Sequence, residues 1–255
     1  MPNGRKEIAA LLMEFIGTFA LIFMGAGAII QTQGSNLVAI ALAHGLAIGL
    51  LVAAGGHISG GVYNPAIAIG LMAAGKLPYV RGAMFIVAQL LGATAAAGLL
   101  KATLPAAAVD AVKLGTPLPG SGISAGQALV VEIVLTFFLM FVIFGVAVDK
   151  RGPASIAGLA IGLTITMDIC MGGGISGAAM NPARSFGPML VQQEWTAAWV
   201  YWVGPIIGAI LAALIYTFVM LDDNSTDEAV ALPQTDDGRP ARAAASGGRS
   251  AGRRR

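Results

Sequence analysis

The apolar residues of this chain show neither the alternation of a half-buried strand nor the 3.6-residue stripe of a surface helix. They run in six long blocks, at about residues 8–30, 37–56, 79–100, 126–148, 154–175 and 195–221. Each block is long enough, as a helix, to cross a hydrocarbon core of ~30 Å, which takes about 20 residues. Two shorter, moderately apolar stretches, 66–74 and 183–191, follow the second and fifth blocks. About ten residues of helix reach only ~15 Å, half a bilayer, so each stretch must re-enter the membrane and leave by the same face. Asn64-Pro65-Ala66 and Asn181-Pro182-Ala183 open these stretches. Proline suits a first helical turn, where its missing N–H costs nothing, and asparagine is a preferred N-cap. The pattern predicts an all-α membrane protein with six spanning helices and two re-entrant half-helices.

The two halves match each other. GLAIGL at 45–50 recurs unchanged at 158–163, and EFIGTF at 14–19 resembles EIVLTF at 132–137. ISGG at 58–61, before the first Asn-Pro-Ala, parallels ISGA at 175–178, before the second. The asparagines lie 117 residues apart and the glutamates 118. Three spans per half is an odd number, so the second half must enter from the opposite face, as in the inverted repeats of transporters and channels. Two half-helices entering from opposite faces bring positive N-termini together at the midplane. Non-helical backbone is tolerated there only if buried or lining a water-filled cavity. These features point to a pore with a cation-repelling centre. Residues 1–221 form one channel domain (repeats at about 8–102 and 126–221), and 222–255, acidic and then basic, a disordered cytoplasmic tail.

Composition sharpens this picture. Hydrophobic residues make up 56% of the 255 and charged residues 11%, against about 25% charged in soluble domains. Mean hydropathy is +0.79. The cations are sided: Arg5, Lys6, Lys76, Arg81, Lys150 and Arg151 on one side, Lys101 and Lys113 on the other. The positive-inside rule then puts both termini in the cytoplasm, with the plasma (inner) membrane as the expected location. Tyr79, Trp195, Trp199, Tyr201 and Trp202 read as interfacial anchors. One cysteine and two histidines leave no disulfide, zinc cluster or histidine metal site. No phosphate loop or Ser/His/Asp set is visible, so no enzyme, cofactor, metal or nucleic-acid partner is expected. The intramembrane Glu14 and Glu132 are read as acceptors for backbone N–H groups of the re-entrant loops, with a proton pathway as the alternative. Cys170 is read as a small buried residue. Asp168 is read as a partner for backbone or polar loop groups, or for His44 or Arg184. The repeated Gly-x-x-x-Gly pairs, Gly45/Gly49 and Gly158/Gly162, permit close helix crossing.

With both Asn-Pro-Ala motifs in place, and with SGAAMNPARSFGP at 176–188 carrying Arg184 three residues after Asn181, the chain resembles the aquaporins of the major intrinsic protein family over about residues 8–221. That resemblance implies a homotetramer with one pore per subunit, passing water and small neutral solutes across the lipid bilayer. It implies that Asn64 and Asn181 donate amide hydrogens to water at the midplane. It also implies that carbonyls of 60–63 and 177–180 form a polar ladder. By the family's spacing, its narrowest point corresponds to His44, Ile169, Ala178 and Arg184. This set departs from strictly water-selective members, with phenylalanine first and histidine second, and is similar to that of plant vacuolar (tonoplast-type) aquaporins. Ser185, Met189 and the pair Tyr201-Trp202 stand where glycerol facilitators carry other residues. Val62 replaces a histidine that many members have two residues before the first motif. The resemblance implies a passive water channel that also passes ammonia, urea or hydrogen peroxide and excludes ions. The alternatives are a glycerol facilitator and a proton-coupled transporter.

Overall fold

The structure is a computed structural model that describes residues 4–221; the tail expected at 222–255 lies outside the described residues. The elements are α1 (Gly4–Thr32), α2 (Leu37–Ser59), α3 (Pro65–Ala73), α4 (Tyr79–Thr103), α5 (Ala106–Ala111), α6 (Ala125–Ile143), α7 (Ala157–Gly172), α8 (Pro182–Gln192) and α9 (Val200–Ile215). Wider turns carry α6 on to Val148 and α9 to Met220, and a tight turn from Ala154 leads into α7. Among the described residues six helices are long and apolar enough to cross a membrane: Gly4–Thr32, Leu37–Ser59, Tyr79–Thr103, Ala125–Val148, Ala154–Gly172 and Val200–Met220.

Boundaries differ from the sequence pattern where the backbone turns. The fifth span stops at Gly172, whose carbonyl accepts from both Ile175 and Ser176 N–H groups as the chain leaves the helix. The sixth starts at Val200, because Ala197 at φ +53° interrupts the run from Trp195. α5 was not expected. Helix ends are closed locally. The Asn36 side chain caps α2, Ser124 and Gln127 form a reciprocal capping box on α6, and left-handed Gly60 ends α2.

Helices α1, α2 and α4 pack as one group and α6, α7 and α9 as another, joined by α2 against α7. At that crossing Gly49 faces the Gly158 carbonyl, 2.8 Å from where a β-carbon would sit, and Gly45 lies against Gly162. The pairing is antiparallel, and any side chain there would separate the helices. The half-helices are exchanged: α3, from the first half, packs on α9, and α8, from the second, packs on α4.

The outer surface is apolar, with Ile8, Leu50, Val130, Leu159 and Phe218 among many exposed large side chains. A water-soluble monomer does not carry such a surface; a bilayer covers it. Two expectations are corrected here. Cys170 is exposed, on the outer face of α7 with Met167, one turn before it, and its neighbour Met171. Tyr201 is fully buried and anchors nothing at the membrane surface. Tyr79, Trp195 and Trp199 are exposed.

The candidate pore and its constriction

Both half-helices are preceded by loops of the same conformation. Left-handed backbone occurs at Gly60, Gly61 and Tyr63 before α3 and at Gly177, Ala178 and Met180 before α8, position for position. Tyr63, Ala178 and Met180 are not glycines, and each costs about 1 kcal/mol or more in this conformation. Such a loop persists only if its surroundings fix it.

The two glutamates supply that fixation. Glu14 Oε1 accepts from Ser59 Oγ at 2.6 Å and Val62 N at 3.0 Å; Oε2 accepts from Tyr63 N at 2.6 Å and Gln89 Nε2 at 2.7 Å. Glu132 Oε1 accepts from Ser176 Oγ at 2.7 Å and Ala179 N at 2.9 Å; Oε2 accepts from Met180 N at 2.7 Å. Both carboxylates are fully buried. Val62 binds through its backbone, so the absent histidine does not loosen this loop.

The asparagines tie the loops together. Asn64 Nδ2 donates to Met180 O at 2.8 Å, and Asn181 Nδ2 donates to Tyr63 O at 2.9 Å. Each Oδ1 caps its own half-helix, Asn64 on Ala66 N and Asn181 on Ala183 N and Arg184 N. An amide nitrogen has two hydrogens, so one on each asparagine remains for another acceptor. The carbonyls of Tyr63 and Met180 hold the opposite asparagine, and that of Ser176 accepts from the Tyr201 hydroxyl at 2.8 Å.

A central cavity surrounds this junction. It is lined by Asn64, Asn181 and the loop residues, and by an apolar wall that includes Ile48, Ile67, Leu139, Ile161 and Ile165. Toward one end it continues into a space bounded by Val52, Leu71, Ala147 and Val148. Toward the other it meets an outer cavity lined by Leu37, Thr116 and Gly177, among others. The central and outer cavities share three lining residues, His44, Ile169 and Arg184. Ala178 lines the central side.

The polar groups at this neck are poised. His44 Nδ1 lies 2.8 Å from Ile40 O, so Nδ1 carries the hydrogen and Nε2 of the neutral ring is left as an acceptor. That Nε2 has no partner among the described residues, and neither has Arg184 Nε. Arg184 Nη1 donates to Gly115 O at 2.8 Å. The His44 ring occupies the space over Gly25 of α1, where a β-carbon would collide with it.

Comparison with known proteins then decides the family. Residues 3–216 match the family described as Major intrinsic protein. The chain belongs to the major intrinsic protein family. It is 42% identical over 216 residues to Aquaporin NIP1-1 of Zea mays, covering 83% of this chain and 75% of that protein. It is 42% identical over 221 residues to Aquaporin TIP4-4 of Zea mays, covering 82% and 85%. An X-ray structure of the aquaglyceroporin from Plasmodium falciparum aligns with TM-score 0.76 and 26% identity, over 84% of this chain and 97% of that one. The protein is thus an integral membrane channel of the aquaporin family with six spans.

In this aquaporin-family channel His44, Asn64, Ile169, Ala178, Asn181 and Arg184 line one cavity, and Glu14 and Glu132 lie behind its two loops. Asp168 is 1% exposed and its Oδ2 has no partner among the described residues. Four contributors escaped the sequence reading: Ser59 and Ser176, which sit in the repeated Ile-Ser-Gly strings, Gln89, and Tyr201. Gln89 had a legible signal, being the one amide in an otherwise apolar span.

Proposed function

We propose that the protein is a passive channel for water and small neutral solutes, ammonia first among them, that excludes protons and ions. The observation that carries this reading is the reciprocal asparagine tie between two half-helix N-termini, inside a cavity that ends at His44, Ile169 and Arg184. A water oxygen accepting from the remaining amide hydrogens of Asn64 and Asn181 has no lone pair left for its neighbours. The apolar wall offers no substitute, so a proton-hopping chain is broken there. The two N-termini add a positive field that repels protons and cations.

At the neck, His44 Nε2 is an acceptor and Arg184 Nε a donor. Ammonia matches both, donating to the first and accepting from the second. Ala178 and Ile169 leave room for urea or hydrogen peroxide. Ammonium meets the Arg184 charge. Glu14 and Glu132 serve as loop anchors, since most of their acceptor sites are occupied by loop donors. The family resemblance supports a homotetramer with a pore in each subunit. The sided cations support cytoplasmic termini, and cell fractionation tests the plasma (inner) membrane.

The test uses purified protein in liposomes. Stopped-flow shrinkage should be accelerated with a low activation energy, and dye-loaded vesicles should alkalinise faster in an ammonia gradient. His44→Phe with Ile169→His should keep water flux and lose ammonia flux. A proton leak comparable to water flux overturns the channel reading, and solute flux that follows an imposed pH gradient means a coupled transporter. Glycerol flux matching that of water assigns a facilitator. No ammonia flux above empty liposomes means strict water selectivity.

A further inference from the structure

The end of α4 and the segment between α4 and α6 touch α8, and the residues that follow it, at both ends. At the N-terminal end Gly115 O receives Arg184 Nη1. At the C-terminal end Lys101 Nζ donates to Val191 O at 3.0 Å, Gln192 Nε2 to Asp110 Oδ1 at 2.9 Å, and Lys113 Nζ pairs with Glu194 Oε2 at 2.7 Å. Lys113, Leu114 and Gly115 are three successive left-handed residues, at φ +48°, +56° and +68°. Two of them are not glycines, so the turn is strained and its surroundings must hold it. Leu114 is fully buried among α1 and α4 residues such as Ala26 and Ala97. A β-carbon at Gly115 would stand 3.0 Å from that of Ala26.

Lys113 is two residues from the carbonyl that Arg184 binds. Its partner is itself fixed, because Glu194 Oε1 accepts from Thr196 N and Thr196 Oγ1. The Lys113 ammonium and the Thr196 donors hold the Glu194 carboxyl well below its ordinary range, at about 2. Glu194 is thus ionised at any physiological pH.

We propose that Lys113 and Glu194 are positioning residues for solute selectivity: their ion pair sets the strained turn that presents Gly115 O to Arg184, and so fixes the guanidinium at the neck. This rests on the reading of Arg184 as a selectivity residue. Breaking the pair lets the Gly115 carbonyl drift and frees Arg184 to swing, which widens the neck. A half-exposed pair contributes modestly, so the effect on selectivity is about two- to five-fold.

Lys113→Gln, Glu194→Gln and the double variant are reconstituted in liposomes, and urea and water permeability are measured on each. The urea-to-water ratio should rise about two- to five-fold in either single variant, and the double variant should match the singles, because both changes remove one interaction. A ratio equal to the parent's in all three overturns the proposal. So do additive effects, which would mean that each residue acts through other contacts, such as Glu194 through Thr196. A general loss of folding would lower both permeabilities together and leave the ratio unchanged, which also counts against it. If the parent itself conducts no water, the channel reading fails instead, and the two failures are distinguished.

Discussion

Glu14 receives four donors, from Ser59, Val62, Tyr63 and Gln89, whereas Glu132 receives three, from Ser176, Ala179 and Met180. The serine and the two backbone N–H groups repeat between the halves; the fourth donor does not. In the second half Tyr201 instead holds the Ser176 carbonyl, and Asp168 lies buried with one oxygen unpartnered. The backbone donors exist whatever the side chains are, and they need a buried acceptor in both loops. The side-chain supplement is not so constrained. The same backbone has therefore acquired two different sets of braces.

The comparison can be broken most directly at the glutamates. Each buried donor left unpaired costs about 1–3 kcal/mol. Glu14→Ala strands one more donor than Glu132→Ala and should be the more damaging, with both well below the parent in thermal unfolding in detergent. Equal losses would mean that the fourth donor counts for nothing. Gln89→Leu isolates that donor. A hydrogen bond to a charged group contributes about 1.5–3 kcal/mol, so the variant should unfold earlier while keeping the second loop's protection from hydrogen exchange. Tyr201→Phe is the smaller mirror experiment. It removes one neutral hydrogen bond, about 0.5–1.5 kcal/mol, and exchange should quicken around 176–180 but not around 59–63.

These differences also separate what the sequence made legible from what it hid. The half-helices and the asparagines at their heads were readable because a local rule, proline in the first turn after an asparagine cap, occurs twice at a fixed distance. The backbone partners of Glu14 were legible in the same way, but its side-chain partners were not, since Ser59 and Gln89 lie 45 and 75 residues away. The mistaken placements of Cys170 and Tyr201 have one cause. Helices that are apolar all round carry no stripe to tell a lipid-facing side from a buried one. The strained turn at 113–115 was invisible for the opposite reason: lysine and leucine are poor predictors of left-handed backbone.

The exchange of half-helices between the two groups has a consequence for biosynthesis. α3 rests on α9, the last of the described spans to leave the ribosome, and the Asn64 amide needs the Met180 carbonyl. When α1, α2 and α4 are already inserted, the segment that will become α3 lacks its main packing partner, α9, and the tether to Met180. Until α9 is made, that segment has Glu14 to hold its leading loop and only the edge of α4, where Met72 lies against Gly82, to pack on. A nascent chain stalled after α4 should therefore expose residues 65–73 to aqueous thiol labelling at engineered cysteines, and completion of α9 should close them off. Assembly of the pore is in this sense a single late event, even though the spans enter the membrane one after another.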